Sequence, residues 1–219
     1  MKPVLFLFFF SAAFAPAAVM SFDTTFTETT TIPDESHSGA LFSRTITGSD
    51  IGLITSLKVT LNLNGGWNGD LFVYVAHESG FAVLLNRIGR DGMGSGFGSD
   101  TFGMTATFDD AGVDGDIHTA SFLPREVVTG VFAPDGRTVG NVSNNSERTA
   151  FLSSFNGLAG DGLWELFVAD VSGGETSQLL SWGVSMEGTS ISIPEPSSLL
   201  TLSGLLAAGL GIRHRRSGK

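Results

Sequence analysis

The sequence contains no cysteine. That excludes disulfide frameworks, Cys-ligated zinc and iron–sulfur sites, c-type haem and every thiol nucleophile. Histidine is almost as scarce: there are four, and His214 lies in the C-terminal tail, which leaves little for a histidine-metal enzyme. Charged residues make up only 16% of the chain, and no apolar run is as long as a comfortable membrane span, which needs about twenty residues. What the 219 residues hold in quantity is 29 Gly and 18 Phe. That profile suits many short strands joined by glycine turns and suits helix bundles poorly. The length accommodates one β-rich domain plus targeting segments.

The formal net charge is −10, and its distribution says more than its size. Lys2, Arg213, Arg215, Arg216 and Lys219 sit at the two ends, so residues 22–193 carry seven Lys and Arg against twenty-one Asp and Glu. A body this acidic repels nucleic acid and anionic membrane and favours cations. Nucleic-acid binding is excluded.

Both ends read as addresses. Residues 1–21, MKPVLFLFFFSAAFAPAAVMS, place one cation before an apolar run from Val4 to Phe10 and then small residues. That is the layout of a secretory signal peptide, with cleavage expected between Ala17 and Phe22. The C-terminal stretch, residues 193–219, holds three parts in order: Pro194-Glu195-Pro196, an apolar segment Leu199–Ile212, and the basic cluster Arg213, Arg215, Arg216. The prolines fix φ and withhold N–H groups, so they keep the chain extended ahead of any helix. The apolar segment is short for a stable span, and the cations behind it hold its end on the cytoplasmic side, as a membrane stop.

Those three parts resemble the PEP-CTERM sorting signal of exopolysaccharide-producing Gram-negative bacteria. The resemblance implies transient membrane anchoring, processing by an exosortase near Pro194-Glu195-Pro196, and delivery to the cell surface or extracellular matrix.

Between the addresses the pattern is that of strands. Residues 22–39 are Thr-rich and read as an edge strand or extended segment running into the Pro33-Asp34 turn. Ala40–Ile46 is a second strand, and Leu57, Val59, Leu61 and Leu63 alternate with polar residues in strict period two. Asn64-Gly65-Gly66-Trp67-Asn68-Gly69-Asp70 is a dense turn signal. Leu71–Ala76, apolar on both faces, is expected to sit centrally between two layers, with Phe81–Asn86 next to it. Five glycines between Gly89 and Gly98 lack the strand and helix that a phosphate-binding loop requires, so this is a plain loop. Further strands are expected at Ala106–Phe108, Trp164–Val168 and Leu180–Met186; only Arg148–Phe155 has the look of a short helix. The expected fold is all-β, a jelly-roll-like β-sandwich.

Four pieces in collinear order carry a second resemblance: Trp67-Asn68-Gly69-Asp70-Leu71-Phe72-Val73, Phe108-Asp109-Asp110-Ala111, Phe155-Asn156-Gly157 with Gly162-Leu163-Trp164-Glu165-Leu166, and Asp170 followed by Leu179–Val184. Together they resemble the P domain (homo B domain) of subtilisin-like proprotein convertases over residues 40–188. The chain departs from that pattern at Gly174-Glu175-Thr176-Ser177 and from Asp116 to Arg148. The convertases carry their Ser-His-Asp triad in a separate catalytic domain, for which this sequence has no room.

Catalysis is not expected. His37, His77 and His118 belong to no nucleophile motif, and no G-x-S-x-G occurs; His77 and His118 read as exposed polar residues. Trp164 and Trp182, mid-strand, read as core. Asp70 reads as a carboxylate satisfying turn amides, with metal binding as the competing reading. Asp109, Asp110, Asp114 and Asp116 put four carboxylates within eight residues, and hard oxygen ligands in a flexible loop suit extracellular calcium; a plain solvated acidic loop is the competing reading. Trp67, in a turn, reads first as partly buried, with stacking on a sugar face as the competing reading. The functional expectation is a non-catalytic surface or matrix protein, an interaction module associated with exopolysaccharide or biofilm. A carbohydrate-binding module is the alternative, and an accessory domain for a separate secreted serine protease a third.

Overall fold

The computed structural model describes residues 18–190 apart from Ser95. The signal segment up to residue 17 and the tail 191–219 lie outside the described residues, and with them Pro194, Glu195, Pro196, the apolar stretch and Arg213, Arg215 and Arg216. Among the described residues no helix is long and apolar enough to cross a membrane.

Among the described residues nine strands make two sheets: β1 (Val19–Thr31), β2 (Ala40–Ile46), β3 (Ile51–Trp67), β4 (Leu71–His77), β5 (Gly80–Asn86), β6 (Phe102–Phe108), β7 (Val128–Phe132), β8 (Gly162–Asp170) and β9 (Ser177–Ser190). One sheet has the order β1-β9-β3-β6-β7 and the other β2-β8-β4-β5. All pairings are antiparallel except β6 with β7. The fold is the expected all-β sandwich. The short helix expected at Arg148–Phe155 is only a 3-10 turn, Leu152–Phe155.

The period-two residues Leu57, Val59, Leu61 and Leu63 of β3 are buried, as are Leu71, Val73 and Val75 of β4 and Trp164, Leu166 and Val168 of β8. These inward rows form the core between the sheets. Trp164 is fully buried and lies between the rings of His77 (4.2 Å, 2° between planes) and Phe155 (5.4 Å, 18°). Trp182, also fully buried, packs on Phe26 at 4.8 Å and donates its indole N–H to Glu28.

The Thr-rich segment is the edge strand expected of it: β1 pairs with β9 from Val19 to Thr31 and forms one edge of the five-stranded sheet. Two other sequence expectations are corrected. The turn signal at Asn64-Gly65-Gly66 does not reverse the chain. Gly65 and Gly66 take φ of +71° and +64° inside β3, where the register with β6 slips between Leu63 and Trp67; a bulge rather than a turn uses the left-handed glycines. Nor does β4 lie between two layers. It is central within its sheet, yet its outer residues Phe72 and Tyr74 are half-exposed rather than covered by a second layer.

The pairing also fixes a polarity. Val19 faces Thr189, and the Ser190 amide reaches the Ala18 carbonyl, so both ends of the described chain leave from one pole. Trp67, Asp70, Asp170 and Ser177 gather at the opposite pole, where Gly65 faces Ser177 and Leu71 faces Asp170. The fourteen residues of β9 separate the poles by roughly 45 Å at the usual rise of a strand.

Candidate functional site

The four aspartates of the acidic loop are close in sequence but point at different partners. Asp109 forms an ion pair with Lys58 at 3.1 Å and accepts the Ala111 amide; those bonds outweigh its burial and hold its carboxyl below the usual range. Asp110 accepts the amides of Leu152 and Ser153 at 2.9 and 2.7 Å, tying down the 3-10 turn. Asp114 accepts the Val131 amide at 2.7 Å. Asp116 accepts the His118 amide and pairs with Arg137 at 2.9 Å and Arg148 at 3.6 Å. The structure therefore does not converge the quartet on one point. Among the described residues no group of three or more His, Asp or Glu side chains is arranged to hold a metal ion.

His77 and His118 are not the exposed residues the sequence suggested; both are buried. His77 follows the inward parity of Leu71, Val73 and Val75, and its ring nitrogens contact the Leu163 and Ala159 carbonyls at 2.8 and 2.9 Å. His118 contacts Asp135 at 2.6 Å through Nδ1 and the Arg90 carbonyl at 2.8 Å through Nε2. Asp135, fully buried, also pairs with Arg137 at 3.3 Å and accepts the Asn86 amide. Burial works against the charged imidazole of His118, but the Asp135 hydrogen bond and charge outweigh it and lift its pKa. The network pins the loops that bracket β7 onto β5.

At the pole opposite the chain ends, Trp67 is half-buried. The Arg125 guanidinium lies 5.1 Å over its ring, and Phe102 meets it edge-on at 5.4 Å. Beside it opens a cavity of about 290 Å³ lined by Trp67, Phe97, Ser99, Asp100, Gly173 and Asp70. Asp70 is 3% exposed and Asp170 is fully buried; Asp70 Oδ1 and both oxygens of Asp170 have no close hydrogen-bond partner, the Ser172 amide and hydroxyl lending Asp170 and Asp70 only loose support. Arg87 approaches Asp70 Oδ1 only to 3.8 Å. Burial pushes Asp70 up to about 6 against the pull of Arg87. Burial likewise pushes Asp170 to about 6, reinforced by the charges of Asp70 and Asp34. The sequence reading of Asp70 as a carboxylate spent on turn amides does not describe Oδ1.

The second feature at the surface is aromatic. On the outer face of the four-stranded sheet, Tyr74 stacks on Phe167 at 4.9 Å, with Phe81 at 5.1 Å and Phe72 at 6.1 Å from the same ring. Leu41, across from Phe167 on β2, is 54% exposed. A groove of about 300 Å³ runs from Phe72 and Phe167 to His37, Asn86, Arg87 and Thr138. Sequence reasoning missed this cluster, although its signal was present: the outward positions 72 and 74 of one strand and 167 of its neighbour are all aromatic, a pattern a solvent-facing row rarely needs.

The family of the PEP-CTERM protein-sorting motif matches the chain over residues 192–216, which bears out the reading of the C-terminal tail. The motif implies export and exosortase-dependent sorting to the surface of a Gram-negative cell. No curated protein matches the chain. Among solved structures, the complex of the Aeromonas sobria serine protease with a chaperone is similar at 15% identity and TM-score 0.43, covering 80% of this chain and 28% of that one. The Aeromonas sobria serine protease alone is similar at 14% identity and TM-score 0.42, covering 78% and 27%. The chain thus spans little more than a quarter of the length of these structures.

Proposed function

We propose that this exosortase-sorted protein is a non-catalytic interaction module of the exopolysaccharide matrix, and that it contacts saccharide through the outer aromatic face of the four-stranded sheet. The observation that carries the reading is the cluster of Phe72, Tyr74, Phe167 and Phe81 on a face open to solvent, joined to a groove that ends in Asn86, Arg87 and His37. Sugars offer apolar C–H faces rimmed by hydroxyls. Aromatic edges beside polar side chains match that chemistry. Ser43 and Glu165, hydrogen-bonded at 3.1 Å on the same face, add acceptors next to the aromatics.

The non-catalytic part of the reading is supported by the histidines. Two of the three in the body are buried and held on carbonyl or carboxylate oxygens, so neither is free to relay a proton to a substrate. Trp67, the sequence's candidate for sugar stacking, is half-buried with Arg125 over its ring, and we assign that role to the aromatic sheet face instead. The test is affinity electrophoresis through gels containing the producing cell's own exopolysaccharide. Tyr74→Ala should lose most of the retardation seen for the wild-type protein while keeping its circular dichroism spectrum. Equal retardation of the two would refute the reading.

A further inference from the structure

The buried carboxylates at the pole opposite the chain ends have no use in a saccharide-binding face, and they are costly. A carboxylate taken out of water must be hydrogen-bonded, paired or neutralised. Asp170 is fully buried with no close hydrogen bond to either oxygen, the Ser172 amide giving it only loose support, and Asp70 Oδ1 is likewise without a close partner, with the Ser172 hydroxyl beside that carboxylate. Their strands are neighbours: Leu71 faces Asp170, and the Val171 amide donates to the Asp70 carbonyl. Asp34 adds a third negative charge nearby, with its own carboxylate accepting the Gly174 amide at 3.3 Å. Against this stands Arg87, which lies beyond hydrogen-bond distance of Asp70 Oδ1 at 3.8 Å. The offset guanidinium of Arg87, the weaker pull of Arg90 on Asp70 and the Ser172 donors do not offset the burial of the pair.

We propose that Asp70 and Asp170 hold a hard divalent cation, calcium, at the pole of the sandwich opposite the ends of the described chain. Every side-chain donor is a carboxylate oxygen, which suits calcium and not a thiol- or imidazole-seeking metal. Two carboxylates do not complete a calcium shell of six to eight oxygens. The remainder are backbone and water oxygens, and the cavity that Asp70 lines, between Trp67, Phe97 and Asp100, gives solvent access to one side of the pair. The loop Val171–Thr176 leaves Asp170 for β9, so an ion here fastens the end of β8 to the start of β4 and steadies the wall carrying Gly173. This is a different site from the acidic loop Asp109–Asp116, whose carboxylates are already engaged elsewhere.

The experiment uses the full-length protein, purified in detergent and stripped with chelator, titrated with calcium chloride alone by calorimetry and followed by thermal melting. One ion should bind per chain, and saturating calcium should raise the melting temperature by roughly 5–10 °C, the size expected when ligand exceeds its Kd about a hundredfold. Asp170→Asn should abolish both effects, and its stripped form should melt no lower than stripped wild type because a buried charge has been removed. Asp70→Asn provides the same test if Asp170→Asn fails to fold. Asp114→Asn should respond as wild type does. The proposal is overturned if wild type takes up no calcium at millimolar concentration, or if the Asp70 and Asp170 variants keep the response. It is equally overturned if Asp114→Asn alone loses it, which would return the ion to the acidic loop.

Discussion

Asp135 is the residue whose loss the structure makes most expensive. It is fully buried, pairs with His118 at 2.6 Å and Arg137 at 3.3 Å, and accepts the amides of Asn86 and Arg137. Replacing it with alanine leaves two cations facing each other in the interior with one carboxylate, Asp116, still on Arg137. Breaking a buried pair by removing one partner costs about 3–5 kcal/mol. The two amides stranded by the same change are an added cost, offset in part by the His118 imidazole losing its proton. Taking about 4 kcal/mol as the net, the melting temperature of a domain this size should fall by roughly 8–16 °C. The sign of the pH dependence follows from His118, whose pKa the Asp135 carboxylate raises in spite of burial. A raised folded pKa contributes stability in full below the unfolded value of about 6.5 and loses it as pH rises through the folded value. Wild type should therefore weaken on going upward from pH 6.5, and Asp135→Ala should lack that slope. Melting followed by circular dichroism at a series of pH values reads both quantities. A variant that melts within about 2 °C of wild type, by the same size scaling, or one that keeps the slope, would refute the account of the network.

Trp164→Ala removes a fully buried indole held between His77 and Phe155, and should cost about 3–5 kcal/mol; denaturant unfolding checks it, and a loss under about 1 kcal/mol, the level of an ordinary surface change, would mean that the aromatic stack is not the keystone of the core. Asp70 and Asp170, both raised to about 6 chiefly by burial, act in the same direction as His118 but in a lower pH window. The chelated protein should lose stability as pH climbs from about 4, where unfolded carboxylates ionise, to about 6, where these two ionise in the fold; Asp170→Asn should flatten that fall in pH-dependent unfolding curves.

The strand reading was legible because alternation is a local property. Leu57–Leu63 and Trp164–Val168 each declare an inward and an outward row with no knowledge of their partners, and the inward row of each is buried as its parity demands. The same parity would have placed His77 inside, since it continues 71, 73 and 75; reading it by residue type instead of by position led to the wrong surface. The bulge at Gly65-Gly66 was illegible for a different reason. Two left-handed glycines serve a hairpin and a bulge equally well, and only the pairing of β3 with β9 beyond Asn64 decides between them.

What the sequence determined by itself were the sorting tail, the absence of thiol chemistry, the acidic body and the two-layer β architecture, all properties of short segments or of composition. What only the tertiary structure decided was which polar groups meet. Asp109, Asp110, Asp114 and Asp116 are neighbours along the chain and scatter onto Lys58, Leu152, Val131 and Arg137. Asp70 and Asp170 are a hundred residues apart and share one buried pole because β4 and β8 pair. Strand pairing brings together residues remote in sequence, and burial then decides which carboxylates keep water, which find donors, and which are left without either.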